Sequence, residues 1–254
     1  MRRFDLSGKV GIVTGGNGGI GSGIARGLLE CGAAILIAGR DAEKNAAMVK
    51  ELSALGSPVS AYAMDVTDEA QCQALVRETI RRHGRLDILV NNAGLGSGGK
   101  LPHELTLADW HRVMDTNLTS AFVLSQLAYS EMKRGGGGKI INIGSMASHL
   151  AMGRLSVYAS AKAAIVQLSR TCASAWAKDN IQVNTILPGY IDTAMAKGQQ
   201  ADAGLHTRAL ARIAAGRLGT PDDFAGIAAF LASSASDYVT GADIPVDGGF
   251  LWGI

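Results

Sequence analysis

Cysteine is scarce in this chain. Cys31, Cys72 and Cys172 are the only three, they lie far apart, and no two form a Cys-x-x-Cys pair. An odd number of distant cysteines in 254 residues argues against a disulfide framework and for reduced thiols in a cytoplasmic protein. His103, His111, His149 and His206 are scattered without metal-ligand spacing, so no metal site is expected. No apolar run approaches the roughly 18 residues of a membrane-spanning helix. Met1 to Lys9 carries charges but no apolar core, so it does not read as a signal peptide. Neither sign of charge dominates: 24 Lys and Arg stand against 22 Asp and Glu, for a net charge of +2. The densest cationic spot, Arg81-Arg82-His83, follows an expected helix, where it complements the C-terminal end of the dipole. Nucleic acid and membrane are therefore poor candidates as partners.

What is present is an ordinary globular composition, 47% hydrophobic and 18% charged, with 33 glycines spread without period. Short apolar runs alternate with longer amphipathic ones. Strands are expected at Val10 to Val13, Ile35 to Ile37, Val59 to Met64, Leu86 to Val90, Ile140 to Ile143, Ile181 to Ile186 and Ile244 to Val246. Helices are expected at Ile20 to Glu30, Asp41 to Leu55, Asp68 to Arg82, Thr106 to Lys133, Ser156 to Asp179 and Pro221 to Ala232. Strands apolar on both faces and alternating with helices imply an α/β fold, a parallel sheet covered on both sides. No composition shift or repeat divides the chain, so residues 1–254 read as one domain. The tetrad Gly135 to Gly138 follows a helix and precedes a strand, the wrong polarity for a phosphate loop, and reads as a flexible connector.

The turn Thr14-Gly15-Gly16-Asn17-Gly18-Gly19-Ile20-Gly21 follows a strand and opens a helix, the context a dinucleotide fingerprint requires. Its glycines match G-x-G-x-x-G from Gly16, or a second spacing in which Gly15, Gly19 and Gly21 are essential. The second strand should select the cofactor. It ends Ala38-Gly39-Arg40, with no carboxylate at Gly39 for the adenine ribose. Arg40 suits a 2′-phosphate, which favours NADP over NAD. Against this, the glycine turn carries no Lys or Arg, and Asp41 reaches the ribose if the register slips by one. Asp65 suits the adenine amino group or, equally, a helix cap.

Tyr158 and Lys162, four residues apart, share one helix face, with Ser145 thirteen residues upstream of Tyr158. An ammonium near a phenol lowers a pKa that is about 10 in free tyrosine, which fits Tyr158 for general acid–base work. Ser145 and Tyr158 can both donate to a carbonyl oxygen gaining negative charge during hydride transfer. Ser145 reads equally as a strand-end cap, and Asn117, inside a long helix, as a kink or core hydrogen-bonder. An acyl-nucleophile role for Ser145 is disfavoured, because Gly144-Ser145-Met146 does not form G-x-S-x-G.

Taken together, Thr14-Gly15-x-x-x-Gly19-x-Gly21, Asp65-Val66, Asn91-Asn92-Ala93-Gly94, Asn117, Ser145, Tyr158-x-x-x-Lys162 and Pro188-Gly189 resemble the short-chain dehydrogenase/reductase family, from Lys9 to Gly249. The resemblance implies a Rossmann-type doubly wound sheet of seven parallel strands with helices on both faces, and a homotetramer. It implies an NAD(P)-dependent oxidoreductase interconverting a secondary alcohol and a ketone. In it Tyr158 is the acid/base, Lys162 tunes it and holds the nicotinamide ribose, Ser145 binds the substrate oxygen, and Asn117 holds a relay water. Gly15, Asn17, Gly19, Ile20, Gly21, Arg40, Asp65, Val66, Asn91, Ala93 and Gly94 would line the cofactor. Pro188, Gly189, Ile191 and Thr193 would position its nicotinamide end.

Loops after strands gather a substrate pocket of Gly96, Ser97, His149, Met152, Tyr190 and Met195 around Ser145 and Tyr158, with residues 193–217 as a lid. The lining has no large aromatic box for a steroid. The pattern is similar to bacterial members acting on sugar acids, polyols or related hydroxy compounds. The alternatives are a 3-oxoacyl-carrier-protein reductase, for which the basic candidates Arg134, Arg154 and Lys197 are few, and a non-enzymatic dinucleotide sensor or scaffold. The apolar end, Phe250 to Ile254, is expected at a subunit interface or over a neighbour's active site.

Overall fold

Alternation along single strands builds this molecule. In β1 (Val10–Thr14) Ile12 and Val13 face opposite sides of the sheet, and in β2 (Ala34–Gly39) Ile35 and Ile37 face one side while Leu36 and Ala38 face the other. Both sides are apolar, so each needs its own helical cover. The computed structural model describes residues 2–193 and 210–252. In it, β1 and β2 are joined by β3 (Val59–Ala63), β4 (Ile88–Asn91), β5 (Gly138–Ile143), β6 (Ile181–Pro188) and β7 (Asp243–Val246) in one seven-stranded sheet. Every pairing is parallel, and the order is β3-β2-β1-β4-β5-β6-β7. The chain reverses its direction of travel between β1 and β4, and such a switch point opens a crevice at the carboxyl ends of the strands.

One face is covered by α1 (Gly19–Glu30), α2 (Ala42–Leu52) and a late helix, α7 (Ala225–Ala232), around Ile24, Leu28, Leu52, Phe224 and Leu231. A Cβ on Gly27 would lie 2.6 Å from the Ala225 backbone, and one on Gly23 would strike the Pro221 carbonyl. Two glycines on one helix face thus let α1 approach the later turn closely. The other face is covered by α3 (Glu69–His83), α5 (Ser120–Arg134) and α6 (Ser156–Trp176), around Leu75, Leu124, Met132 and Ala173.

The helix expected over Thr106 to Lys133 is not continuous. Thr106 caps α4 (Leu107–Met114), accepting from Asp109 N, and a π-helical turn at Asp115–Thr119 separates α4 from α5. Asn117 sits in that turn. Asp68, not Asp65, caps α3. Gly138 belongs to β5, while Gly136 and Gly137, with φ of 87° and 141°, make the bend before it. Among the described residues, no helix is long and apolar enough to cross a membrane.

Candidate active site

The glycine turn settles its own spacing. Gly15 and Gly19 have φ of 64° and 51°, which side chains rarely adopt, whereas Gly16 and Gly18 do not need glycine on that ground. A Cβ on Gly21 would strike the Gly15 carbonyl and the Asn92 amide. The essential set is Gly15, Gly19 and Gly21. Thr14 and Asn92, neither expected as a site residue, lock the turn to β4. Thr14 Oγ1 accepts from the backbone N–H groups of Asn92 and Ala93, both at 3.0 Å, and Asn92 Nδ2 donates to Thr14 O at 2.9 Å. Helix α1 starts at Gly18 with no capping side chain and no acidic residue in its first turn. Among the described residues no side chain caps its first N–H groups, which suit an anion.

A cavity of about 250 Å³ runs from this turn along the strand ends, lined by Gly15, Asn17, Arg40, Lys44, Asp65, Val66, Ala93, Gly94 and Thr116 among others. At its outer end Arg40 Nη1 lies 3.8 Å from Asp65 Oδ2. Thr67 donates to Asp65 through both N–H and hydroxyl, and these bonds hold the carboxyl below its ordinary range, offset in part by burial and assisted by Arg40. Asp41 also lines this cavity, and its carboxylate accepts from Lys44 N and caps α2. Lys44, not anticipated from the sequence, brings a second cation to this rim. Bare helix start, glycine cradle and cationic rim together fit a phosphorylated dinucleotide.

At the inner end Pro188 closes β6, and Gly189 packs so closely on Asp247 that a Cβ would lie 2.6 Å from it. Ile191 is buried and bridges to Gly219. The Thr193 methyl is 3.5 Å from where a Gly19 Cβ would stand, so this segment reaches back to the glycine turn. Asn91 departs from expectation. Its side chain points into the core, donating to Asn142 Oδ1 at 2.8 Å and Ser125 Oγ at 3.1 Å. The position ends β4 on the side facing β5, so the amide finds strand and helix partners before it reaches the cavity.

Four side chains converge next to Gly94. The Lys162 ammonium donates to the Ile143 carbonyl oxygen at 2.7 Å and lies 5.8 Å from the centre of the Tyr158 ring. A Cβ on Gly94 would lie 2.7 Å from Asn117 Oδ1 and 3.6 Å from Lys162 Nζ. Asn117 is buried, with Nδ2 donating to Leu95 O and Val113 O at 2.9 Å each and Oδ1 accepting from Leu95 N at 3.2 Å. Its amide thus ties the π turn to the loop after β4. Ser145 does cap, accepting from Ala147 N at 3.1 Å, and its hydroxyl also meets the Tyr158 phenol. Burial pushes the Tyr158 phenol above its ordinary value while Ser145 pulls it down. The lowering expected from Lys162 is not seen here: burial dominates, because a phenolate in this half-enclosed wall loses its water, and Ser145 is what opposes it. Burial also pushes Lys162 down, to about 8.

The expected substrate pocket divides. A Cβ on Gly96 would meet only open space, and Met152 is half-buried. Ser97 is buried, and its hydroxyl donates to Arg154 O at 3.3 Å, so it braces two loops instead of facing a ligand. His149 leaves the pocket. Its Nε2 is 3.2 Å from Asp243 Oδ2, at the start of β7, where Arg170 also holds that carboxylate. Met195 and most of the expected lid, residues 194–209, lie outside the described residues. Tyr190 meets Phe250 edge-on at 5.1 Å, and Arg212 stands over the Phe250 ring at 4.5 Å. Phe250 and Leu251 are buried in their own chain with Met146 and Ile213, Trp252 is 79% exposed, and the last two residues of the apolar end, Gly253 and Ile254, lie outside the described residues. A larger groove of about 450 Å³ lies between α3 and α5, beside Glu69 and Phe122, but it holds none of the acid–base groups.

This geometry has relatives. Residues 15–251 match the family described as enoyl-(acyl carrier protein) reductase. The chain belongs to the short-chain dehydrogenase/reductase family. It is 41% identical to 2-dehydro-3-deoxy-D-gluconate 5-dehydrogenase of Dickeya dadantii, over 99% of this chain and 98% of the relative. It is 37% identical to the 3-oxoacyl-[acyl-carrier-protein] reductase of Chlamydia pneumoniae, over 97% and 98%. A crystal structure of gluconate 5-dehydrogenase from Burkholderia cenocepacia, in complex with NADP and tartrate, superposes with a TM-score of 0.94 at 38% identity, covering 99% of this chain and 98% of that one. The protein is thus an NAD(P)-dependent short-chain oxidoreductase acting on CH–OH groups, with a single Rossmann-type domain.

Proposed function

We propose that this short-chain dehydrogenase/reductase is an NADP-dependent dehydrogenase of a sugar acid. The observation that carries the reading is the convergence of Ser145, Tyr158, Lys162 and Asn117 beside Gly94, a residue that lines a cavity also carrying Arg40 and Lys44. A nicotinamide held in this site would supply the hydride chemistry at the substrate carbon. The chain's own residues do the rest. Tyr158 takes the proton of the substrate hydroxyl in oxidation and returns it in reduction. Ser145 donates to the same oxygen and stabilises the charge it carries in the transition state. Lys162, anchored on Ile143, favours the phenolate and holds the nicotinamide ribose. Asn117 fixes the loop at Leu95 and supplies the relay position.

A sugar acid is favoured by the relatives named for gluconate derivatives and by the tartrate, a hydroxylated dicarboxylate, in the Burkholderia enzyme. Arg212, exposed over the Phe250 ring and close to Tyr190, offers a cation for a carboxylate. NADP is favoured by the paired cations at the rim and by that enzyme's bound cofactor. A carrier-protein reductase is the lesser reading: Arg134 is paired with Glu131, which leaves Arg154 as the basic candidate among the described residues. We place the enzyme in the cytoplasm as a homotetramer, and the exposed Leu107, Trp110, Phe122 and Tyr238 are consistent with self-association. Initial rates on sugar acids, simple secondary alcohols and oxoacyl thioesters test the substrate class. Preference for the thioester would overturn it.

A further inference from the structure

Gly39 ends β2 where a carboxylate would bind the adenine ribose hydroxyls of an unphosphorylated cofactor. The space in front of it is already taken. A Cβ on Gly39 would lie 2.6 Å from Asn17 Nδ2 and 2.9 Å from Asn45 Oδ1. These two atoms are bonded to each other, Asn17 Nδ2 donating to Asn45 Oδ1 at 2.7 Å. Asn45 Nδ2 in turn donates to the Gly39 carbonyl oxygen at 2.9 Å. Asn45 is 2% exposed, so it has no water to swing into. The bridge therefore runs from the glycine turn, across the face of residue 39, to α2. Asn17 lines the same cavity as the two cations Arg40 and Lys44.

We propose that the Asn17–Asn45 bridge sets cofactor specificity by filling the place of the NAD-selecting carboxylate. Asn17 and Asn45 act here as positioning residues, and the inference rests on the dinucleotide site proposed above. Arg40 and Lys44 attract a 2′-phosphate, and the bridge bars the alternative group that would read a bare ribose. A side chain introduced at 39 must push Asn17 aside, and Asn45 Oδ1 is then buried without its donor. A carboxylate at 39 consequently creates an NAD site only when the bridge is removed with it.

The test uses isothermal titration calorimetry with NADP and with NAD, together with the Tm of the unliganded protein. The variants are Gly39→Ala, Gly39→Asp, Asn45→Ala and the two doubles with Asn45→Ala. Gly39→Ala adds one methyl group and is expected to lower Tm and weaken NADP binding, with both losses at least halved in the Asn45→Ala background. Gly39→Asp alone is expected to bind NAD no tighter than the wild type, while Gly39→Asp with Asn45→Ala binds it about tenfold tighter than Gly39→Asp does. A tenfold gain for NAD from Gly39→Asp alone, at unchanged Tm, would overturn the proposal. So would Gly39→Ala losses that are the same in both backgrounds, and this pair decides the matter if Gly39→Asp does not fold. A wild type that binds NAD tighter than NADP would overturn the phosphate-selecting role, whereas the coupling of positions 39 and 45 is still read from the unliganded Tm.

Discussion

Lys162 donates to the carbonyl oxygen of Ile143 at 2.7 Å, so the last residue of β5 anchors the lysine two residues before the same strand delivers Ser145. One strand end therefore sets both partners of Tyr158. The bond gives a buried ammonium one fixed acceptor, but it does not restore the water lost on burial.

That loss has a pH signature. Burial pushes Lys162 from its ordinary 10.5 to about 8. Between those pH values the unfolded chain holds a proton that the folded one has released, so stability contributed by this group rises with pH, by at most about 1.4 kcal/mol per unit. Lys162→Met lacks this slope. Urea denaturation of both proteins from pH 7 to 10 is expected to show the gap moving in the wild type's favour above pH 8. A constant gap would contradict the burial account.

Tyr158→Phe keeps the ring and removes the proton. The expected result is a fall in kcat of roughly 10²- to 10⁴-fold. Cofactor affinity, measured by fluorescence titration, should stay within about threefold, because the phenol is assigned to proton transfer. A sensor or scaffold would keep its partner response in this variant, and retained turnover would remove Tyr158 from the acid–base role.

Arg40 is 74% exposed in its side chain, and its charge is engaged only loosely, at 3.8 Å, by Asp65. It is therefore available to a phosphate. Arg40→Ala is expected to raise the Kd for NADP about tenfold or more and to leave that for NAD within about twofold. Equal losses for both cofactors would mean that Arg40 reads something other than the 2′-phosphate.

Phe250 fills its own chain beside Met146, the residue after Ser145. Phe250→Ala should cost about 3 kcal/mol in urea denaturation, the usual penalty for emptying an aromatic site. It should also disturb the wall that Tyr190 and Arg212 share with it. A cost below about 1 kcal/mol would show that the segment is not part of the core.

Much of this was legible in the sequence because it is local. Strands apolar on both faces forecast a doubly covered parallel sheet, and Tyr158 and Lys162 lie one helical turn apart by spacing alone. What was not legible depends on partners distant in sequence or on small irregularities. The π turn at Asp115–Thr119 was marked in the sequence only by Asn117, a polar residue inside a long helix that reads equally as a kink or a core hydrogen-bonder. Asn45 looks like any polar residue on a helix until Asn17, 28 positions away, meets it. His149 was placed in the pocket by its loop, but Asp243, 94 positions away, draws it off. Asn91 fits a recognisable motif, yet its amide is taken by Asn142 across the sheet. Lys44, the second cation at the cavity rim, was hidden because Asp41, read as a ribose candidate, is the cap that starts its helix.

The most direct test of the central claim is the initial rate of cofactor reduction on sugar acids of the gluconate type, with NADP and NAD in parallel. A kcat/KM higher with NADP than with NAD, and higher for the sugar acids than for simple secondary alcohols, is the expected result. Turnover driven mainly by NAD, or no preference for the carboxylated substrates, would contradict the account.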